Sequence, residues 1–165
     1  MIANNLMKIK FNKRPAPVLV EHRPIYKIGQ IALILYISSR AYKSSLTRLH
    51  LFNWVLKDKN RQNDFLNAGE NGNFRISAWG FDPALTIAIR FAIAEKLLFE
   101  EVSGYKLTDL GIRFAKKIML DDSIFSEEKK FLFLIKKLSL VSSNEYIIIA
   151  KIITMYTAII NEFIF

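Results

Sequence analysis

Residues 97–111, LLFEEVSGYKLTDLG, constrain the fold of this chain more than any other stretch. A short apolar run leads to Ser103 and Gly104, a pair typical of a tight turn, and a second short run follows it. Leu-Thr-x-x-Gly then opens an amphipathic helix, and another helical pattern precedes the first run. The stretch therefore predicts a β-hairpin that lies between two helices.

A hairpin between two helices is typical of the wing of a winged-helix domain, and such domains usually bind DNA. We therefore expect a mainly helical α+β fold, in which a winged-helix core carries a short β-hairpin wing and additional C-terminal helices. The chain is expected to have three parts. They are an extended basic N-terminal segment (residues 1–23), the winged-helix core (24–120) and a C-terminal helical pair (121–165) that packs on the core or on a partner.

The first predicted helix begins at Pro24, because proline is favoured at the first helical position. From Ile31 onward, apolar side chains occupy nearly every face of this predicted helix. This pattern indicates a buried central helix, although a strand is possible. A second, amphipathic helix follows, and Ser44 or Ser45 can cap it. Its core face is expected to hold Leu49, Phe52 and Leu56, and its opposite face His50, Asn53 and Lys57. Residues 60–73 are rich in Asn and Gly and are expected to form an exposed loop.

Asp82 and Pro83 form a strong helix start, and the helix after them takes the place of the base-reading helix in a winged-helix domain. Its apolar surface is interrupted at Thr86, Arg90, Glu95 and Lys96, so we expect it to be covered on most sides. Thr86 and Arg90 are the two side chains that it could offer to base edges. This helix is therefore expected to bind protein rather than to read a DNA sequence.

The last predicted helix lies in residues 146–160, which are apolar except for Lys151 and two threonines. A membrane span needs about 20 apolar residues, a lysine in its middle is costly, and Asn161 and Glu162 end the run. A buried or partner-facing helix is therefore expected rather than a span. The predicted partner interface consists of Ile148, Ile152, Met155, Tyr156 and Ile159.

The net charge of +9 is concentrated in the first third of the chain. Residues 1–61 hold 12 Lys and Arg against 2 acids, Glu21 and Asp58. One explanation is contact with the phosphates of DNA or with an ATPase partner, and the other is a scattered, solvated surface that keeps an apolar protein in solution. The candidate contact residues are Lys8, Lys10, Lys13, Arg14, Arg40, Lys43, Arg48, Lys57, Lys59 and Arg61.

Residue types suited to catalysis and metal binding are scarce in this sequence. The absence of cysteine excludes disulfides and thiolate metal sites, and it indicates a reducing compartment, so we expect the protein in the cytoplasm. The nearest approach to a nuclease site combines Asp121 or Asp122 with Glu127 and Lys129. Glu127 lies in the first turn of a predicted helix, where the helix dipole alone explains an acid. Neither an enzyme nor a bound cofactor is therefore expected.

Three stretches of the sequence are KRPAPVLVEHRPIYKIGQIALILYISSRAYKSSLTRLHLFNWVLKD, WGFDPALTIAIRFAIAEKLL and GYKLTDLGIRFAKKI. Together they resemble the middle component of bacterial three-component ABC-ATPase systems. This group includes the small subunit of Lamassu anti-phage defence, and the resemblance spans about residues 10–155. It implies a subunit without a catalytic centre, similar in role to the small winged-helix partners of SMC complexes. Such a subunit joins a coiled-coil ATPase to an effector, often a nuclease.

Two hypotheses about function follow. The first is a non-catalytic winged-helix assembly subunit that links an SMC-like ATPase to an effector in a bacterial anti-phage defence complex that senses DNA. The second is a small homodimeric winged-helix transcriptional regulator that binds DNA through its wing and its N-terminal basic residues. A homodimer with a strong preference for one DNA site would favour the second hypothesis.

Overall fold

The computed structural model of this protein describes residues 19–71 and 81–141. This part of the chain contains six α-helices and a small three-stranded antiparallel sheet. The helices are α1 (Pro24–Ser38), α2 (Leu46–Val55), α3 (Lys59–Asn71), α4 (Pro83–Ala94), α5 (Asp109–Leu120) and α6 (Ser126–Val141), and the strands are β1 (Lys43–Ser44), β2 (Leu98–Glu101) and β3 (Gly104–Leu107). The predicted mainly helical α+β class agrees with this content.

Helix α1 is the centre of the fold. It begins at Pro24, as predicted, and its apolar side chains run nearly all round, so that Leu33, Ile34 and Leu35 have no exposed surface. Helices α2, α4, α5 and α6 all pack against it. The prediction of a buried central helix is confirmed, and the alternative of a strand is wrong.

The predicted hairpin is present as β2 and β3, and β1 pairs with the other edge of β3. Leu98 lies opposite Leu107, and both are buried under the sheet. Gly104 has a φ of +143°, and a Cβ there would lie 2.2 Å from the carbonyl oxygen of Ser44. Glycine therefore allows β1 to approach the hairpin. The sequence did not predict β1, because two residues are too few for an alternating pattern.

The two helices that flank the hairpin begin at side-chain caps. At the start of α4 the carboxylate of Asp82 accepts a hydrogen bond from the Ala84 amide (3.0 Å). At the start of α5 the hydroxyl of Thr108 accepts one from the Gly111 amide (3.0 Å) and donates one to the Lys96 carbonyl (2.6 Å). Both predicted helix starts are confirmed, and Thr108 also joins α5 to the end of α4.

The expected exposed loop over residues 60–73 is wrong, because α3 occupies most of that stretch. The carboxylate of Asp58 accepts a hydrogen bond from the backbone at the helix start. Phe65 is buried, with its ring centre 6.0 Å from that of Phe52 on α2 and 6.3 Å from that of Phe131 on α6. The packing of Phe65 in the core stabilises a helix that the Asn-rich and Gly-rich sequence alone does not indicate.

Helix α2 is buried on two faces, which corrects the predicted division into a core face and a polar face. Ser45 caps the helix, as expected, by accepting a hydrogen bond from the Arg48 amide (3.3 Å), and the predicted core residues are buried. His50 and Asn53 are buried as well. They lie close together, as predicted, and they face α1 and the start of α4.

Helix α6 packs against α1 and buries Phe131, Leu132 and Ile135 in the core. The hydroxyl of Tyr26 on α1 donates a hydrogen bond to the carboxylate of Glu128 on α6 (2.6 Å). In residues 19–71 and 81–141, no helix is long and apolar enough to cross a membrane. The predicted last helix, with all five residues of the predicted partner interface, lies outside the described residues.

Candidate protein-interaction site

Helix α4 exposes apolar side chains on the face that is turned away from the core. Its inner face is buried through Leu85, Ala88 and Ile89. On the outer face Ile87 and Phe91 lie one turn apart and are 49% and 50% exposed. The described part of the chain leaves this outer face exposed, so that cover for it, expected from the sequence, stays a prediction.

Phe91 also lines a groove with a volume of about 590 Å³, which we call the α4–α5 groove. The start of α1, the end of α4 and the exposed face of α5 form its walls. Its apolar lining includes Pro24, Ile25, Ile28, Phe91, Leu97, Leu110 and Phe114. Ile25 and Leu110 are 66% and 43% exposed, so the groove opens to solvent between large apolar side chains.

Three charged side chains line the α4–α5 groove. Arg113 and Lys117 lie one turn apart on α5, and Glu95 lies at the end of α4. All three are exposed. Among the described residues, none forms an ion pair with Arg113 or Lys117. The groove therefore combines an apolar lining with a net positive charge.

A polar cluster, in which Lys27, His50 and Asn53 are buried, fixes the start of α4 against α1 and α2, and we call it the Asp82 cluster. Asp82 Oδ2 accepts hydrogen bonds from Asn53 Nδ2 (3.0 Å) and Lys57 Nζ (3.1 Å), and it lies 3.4 Å from Nζ of the buried Lys27. Lys27 also donates to Asn53 Oδ1. The backbone amide of Asp82 donates to His50 Nδ1 (3.1 Å). The cluster comprises Lys27, His50, Asn53, Lys57 and Asp82.

The Asp82 cluster holds one carboxylate between two lysines. Burial lowers the pKa of Lys27, and the charge of Asp82 opposes that effect. Burial would raise the pKa of Asp82, but hydrogen bonds from Asn53 and Lys57 and the charge of Lys27 hold that pKa below its usual value. Burial lowers the pKa of His50 to about 4, so its Nδ1 is an unprotonated acceptor at neutral pH. Lys27, Asn53, Lys57 and Asp82 contact one another, and His50 accepts a hydrogen bond from the Asp82 amide through Nδ1, while its buried Nε2 has no hydrogen-bond partner among the described residues. These contacts suit the cluster to holding α4 in place.

Six of the ten predicted DNA or ATPase contact residues lie in the described part of the chain, and Lys8, Lys10, Lys13 and Arg14 lie outside it. The six form two groups at the opposite ends of α2, which spans about 15 Å over its length. Arg40, Lys43 and Arg48 lie near its start, and Lys57, Lys59 and Arg61 lie near its end. The structure thus places them in two separate groups.

Five of these six side chains contact other groups of the chain. Lys43 pairs with Glu101, Arg48 with the carbonyl of Ser38 (2.5 Å), Lys57 with Asp82 (3.1 Å), Lys59 with Glu127 (3.4 Å), and Arg61 with the Trp54 ring (4.8 Å). A phosphate would have to compete with these partners. Contact with DNA or an ATPase stays a prediction for all ten residues.

The hairpin ends in a tip that carries more negative than positive charge. Val102 at the tip is fully exposed. Glu100 accepts a hydrogen bond from the Tyr105 hydroxyl (3.3 Å), and Glu101 lies next to the turn. Lys106 Nζ lies over the Phe99 ring, 5.6 Å from its centre. Glu101 is paired with Lys43, so Glu100 is the one carboxylate of the hairpin without an ion-pair partner among the described residues.

Two of the residues considered for a nuclease site, Lys129 and Glu127, contact other groups of the chain. Lys129 Nζ donates to the carbonyls of Ile118 (2.7 Å) and Asp121 (2.6 Å), so it caps the end of α5. Glu127 pairs with Lys130 (2.8 Å) and Lys59. In the part of the chain that the structure describes, no group of three or more His, Cys, Asp or Glu could hold a metal ion.

Sequence reasoning missed both the groove and the Asp82 cluster. In the groove, Ile25 lies close to residues that come more than sixty positions later in the chain. A local sequence pattern cannot predict contacts between residues so far apart. One signal was available, because a helix as apolar as α4 has more large side chains than its inner face can bury. The buried Lys27 gave no local signal, since lysine is seldom fully buried.

Comparisons with known proteins do not place this chain in a family. It matches no protein-family profile, and neither curated proteins nor solved structures gave a significant match. Function is therefore inferred from the geometry around α4 and from the sequence.

Proposed function

We propose that this protein is a non-catalytic winged-helix assembly subunit that links an SMC-like ATPase to an effector, such as a nuclease, in a cytoplasmic anti-phage defence complex that senses DNA. The assembly role rests on one observation: the apolar face of α4 beside the α4–α5 groove is exposed. Exposed apolar patches of this kind are typical of surfaces that bind other proteins. The defence setting rests on the resemblance of the sequence to the three-component ATPase systems.

The order of elements supports the winged-helix part of the proposal. A helix, a short strand, further helices and a hairpin follow one another, and the short strand pairs with the hairpin. In a winged-helix domain the last helix before the hairpin is the one that enters the major groove of DNA. Helix α4 has that place in this chain.

The side chains of α4 favour a protein over DNA as its partner. Its exposed face carries Ile87 and Phe91, which offer no hydrogen bond to a base edge. Arg90 is exposed and Thr86 is half-buried, so α4 presents few groups that can read bases.

Co-purification with the SMC-like ATPase encoded nearest to this protein's gene tests the proposal. The variant Ile87→Ser/Phe91→Ser removes two apolar anchors from the exposed face of α4. We expect it to weaken the association at least tenfold, because buried aromatic and aliphatic anchors carry most of the binding energy at interfaces. The matched control is Phe99→Ser/Val102→Ser, which changes two exposed apolar residues of the hairpin and should leave the association unchanged.

The exposed Arg90 is the observation that favours the second hypothesis, a DNA-binding regulator. If the purified protein is a homodimer that prefers one DNA sequence, and if Arg90→Ala removes that preference, the regulator is supported and the assembly role is contradicted. Equal co-purification of the wild type and the α4 variant would also contradict the assembly role.

A further inference from the structure

We infer that the α4–α5 groove binds an acidic amphipathic helix of a partner protein, with apolar side chains along one face and carboxylates beside them. The inference rests on the proposed function, because it names the chemistry of the segment that the same surface would bind. Two independent features of the groove lead to it. The first is the shape of its apolar surface, and the second is the charge along its α5 side.

The exposed apolar surface continues beyond the groove along α4. Phe91 lies in the groove, and Ile87 continues the same face of α4 by one further turn, about 5.4 Å along the helix. At the other side the exposed Ile25 extends the apolar surface over the start of α1. A partner helix presents side chains at positions i, i+4 and i+7 along one line, and such anchors match an apolar surface that continues beyond the groove.

The charge along the groove selects acidic partners. Arg113 and Lys117 are exposed, one turn apart, and without an ion-pair partner among the described residues. Carboxylates one turn apart on a bound helix have the same spacing. Glu95 lies at the opposite side, so the positive charge is confined to the α5 wall. This asymmetry also fixes the direction in which a helix with acids on one edge can lie.

Two other kinds of occupant fit the groove less well. A small anionic amphiphile typically binds in a pocket that encloses most of its surface. This groove does not enclose a ligand in that way, because it is open to solvent on the sides of Ile25 and Leu110. Nucleic acid would place phosphates against Arg113 and Lys117, but its polar edges would then face the apolar lining without hydrogen-bond partners. An acidic amphipathic helix satisfies both the lining and the charge.

The test uses the full-length protein and overlapping 20-residue peptides that cover the SMC-like ATPase and the effector encoded beside it, with binding measured by fluorescence anisotropy. We expect the tightest peptides to combine apolar residues at helical spacing with acids, and to bind less well as salt is raised. The variant Arg113→Glu/Lys117→Glu should weaken their binding about tenfold, because two attractive charge pairs become repulsive. Replacing the peptide's acids by lysine should restore binding to that variant.

The control variant is Lys136→Glu/Lys137→Glu, which makes the same change of net charge at exposed positions of α6. It should bind the peptides as the wild type does. If the ATPase co-purifies through Ile87 and Phe91 but Arg113→Glu/Lys117→Glu has no effect, the acidic helix is contradicted while the proposed function stands. The inference is likewise overturned if a 20-base-pair DNA duplex or decanoate binds in place of the peptides and depends on the same two charges.

Discussion

The Asp82 cluster and the α4–α5 groove lie at the two ends of α4, and each reverses the usual distribution of side chains. At the start of the helix, charged and polar groups are buried. Near its end, large apolar groups are exposed to solvent. The described part of the chain explains the first exception, because Lys27 and Asp82 contact each other. It does not explain why the large apolar groups near the end of α4 are exposed. An apolar surface that the protein's own packing does not explain is the better candidate for binding a partner.

The comparison also suggests how the two ends of α4 cooperate. A buried ion pair is seldom more stabilising than well-packed apolar side chains, so we interpret the Asp82 cluster as fixing the position of α4. Asp82 both caps α4 and contacts α1 and α2, which sets the angle at which the helix leaves the core. Ile87 and Phe91 are then presented on a rigid element, which lowers the entropic cost of binding.

The largest expected effect concerns the cluster. Asp82→Ala should lower the free energy of unfolding by about 3–5 kcal/mol, because it leaves the buried ammonium of Lys27 without its carboxylate. Urea denaturation followed by circular dichroism measures this loss. The double variant Lys27→Met/Asp82→Ala should recover part of it, since the buried charge is then absent.

Asp109→Ala is the matched control for Asp82→Ala, because Asp109 also lies at the start of a helix but is exposed. It should cost much less stability than Asp82→Ala. If the two variants lose equal amounts, the cluster contributes no more than an exposed acid in the first turn of a helix, and the contrast between the two ends of α4 disappears.

The second effect is a dependence of stability on pH through His50. Burial lowers the pKa of His50 to about 4 in the folded protein, while the unfolded chain has the ordinary value near 6.5. Between these values the unfolded state binds more protons, so this contribution to stability is complete above pH 6.5 and is lost as the pH falls towards 4. The loss should amount to roughly 3 kcal/mol at most.

His50→Asn isolates that contribution, because the amide oxygen of asparagine can still accept the hydrogen bond from the Asp82 amide but does not titrate. The decrease in unfolding free energy between pH 6.5 and 4 should be smaller in this variant than in the wild type. An unchanged decrease would mean that His50 is accessible to protons in the folded state, and that this side of the cluster is less buried than the structure indicates.

Local signals in the sequence predicted the elements that local chemistry determines. Pro24 and Asp82 marked helix starts, and the turn at Gly104 marked the hairpin. Helix α3 and strand β1 were not predicted, because each depends on contacts between distant parts of the chain. The packing of Phe65 stabilises the first, and the approach of Ser44 to the hairpin forms the second.

The two sites around α4 were predictable to different extents. The apolar surface of α4 predicted that this helix needs cover, but not which of its faces the described residues leave exposed. His50 and Asn53 were correctly grouped on one face of α2, but their burial on that face was not predicted. Their burial depends on Lys27 and Asp82, and helical periodicity within α2 carries no information about either.

The smallest expected effect on stability concerns the outer face of α4. Phe91→Ala should lower the free energy of unfolding by about 1 kcal/mol or less, since half of that side chain is already exposed. Leu85→Ala, on the inner face of the same helix, should cost about 2–5 kcal/mol, because Leu85 has no exposed surface. Thermal and urea denaturation of the two variants measure this difference directly. If Phe91→Ala is as costly as Leu85→Ala, then Phe91 acts as a core residue, and the groove is part of the monomer's own packing instead of a surface kept open for a partner.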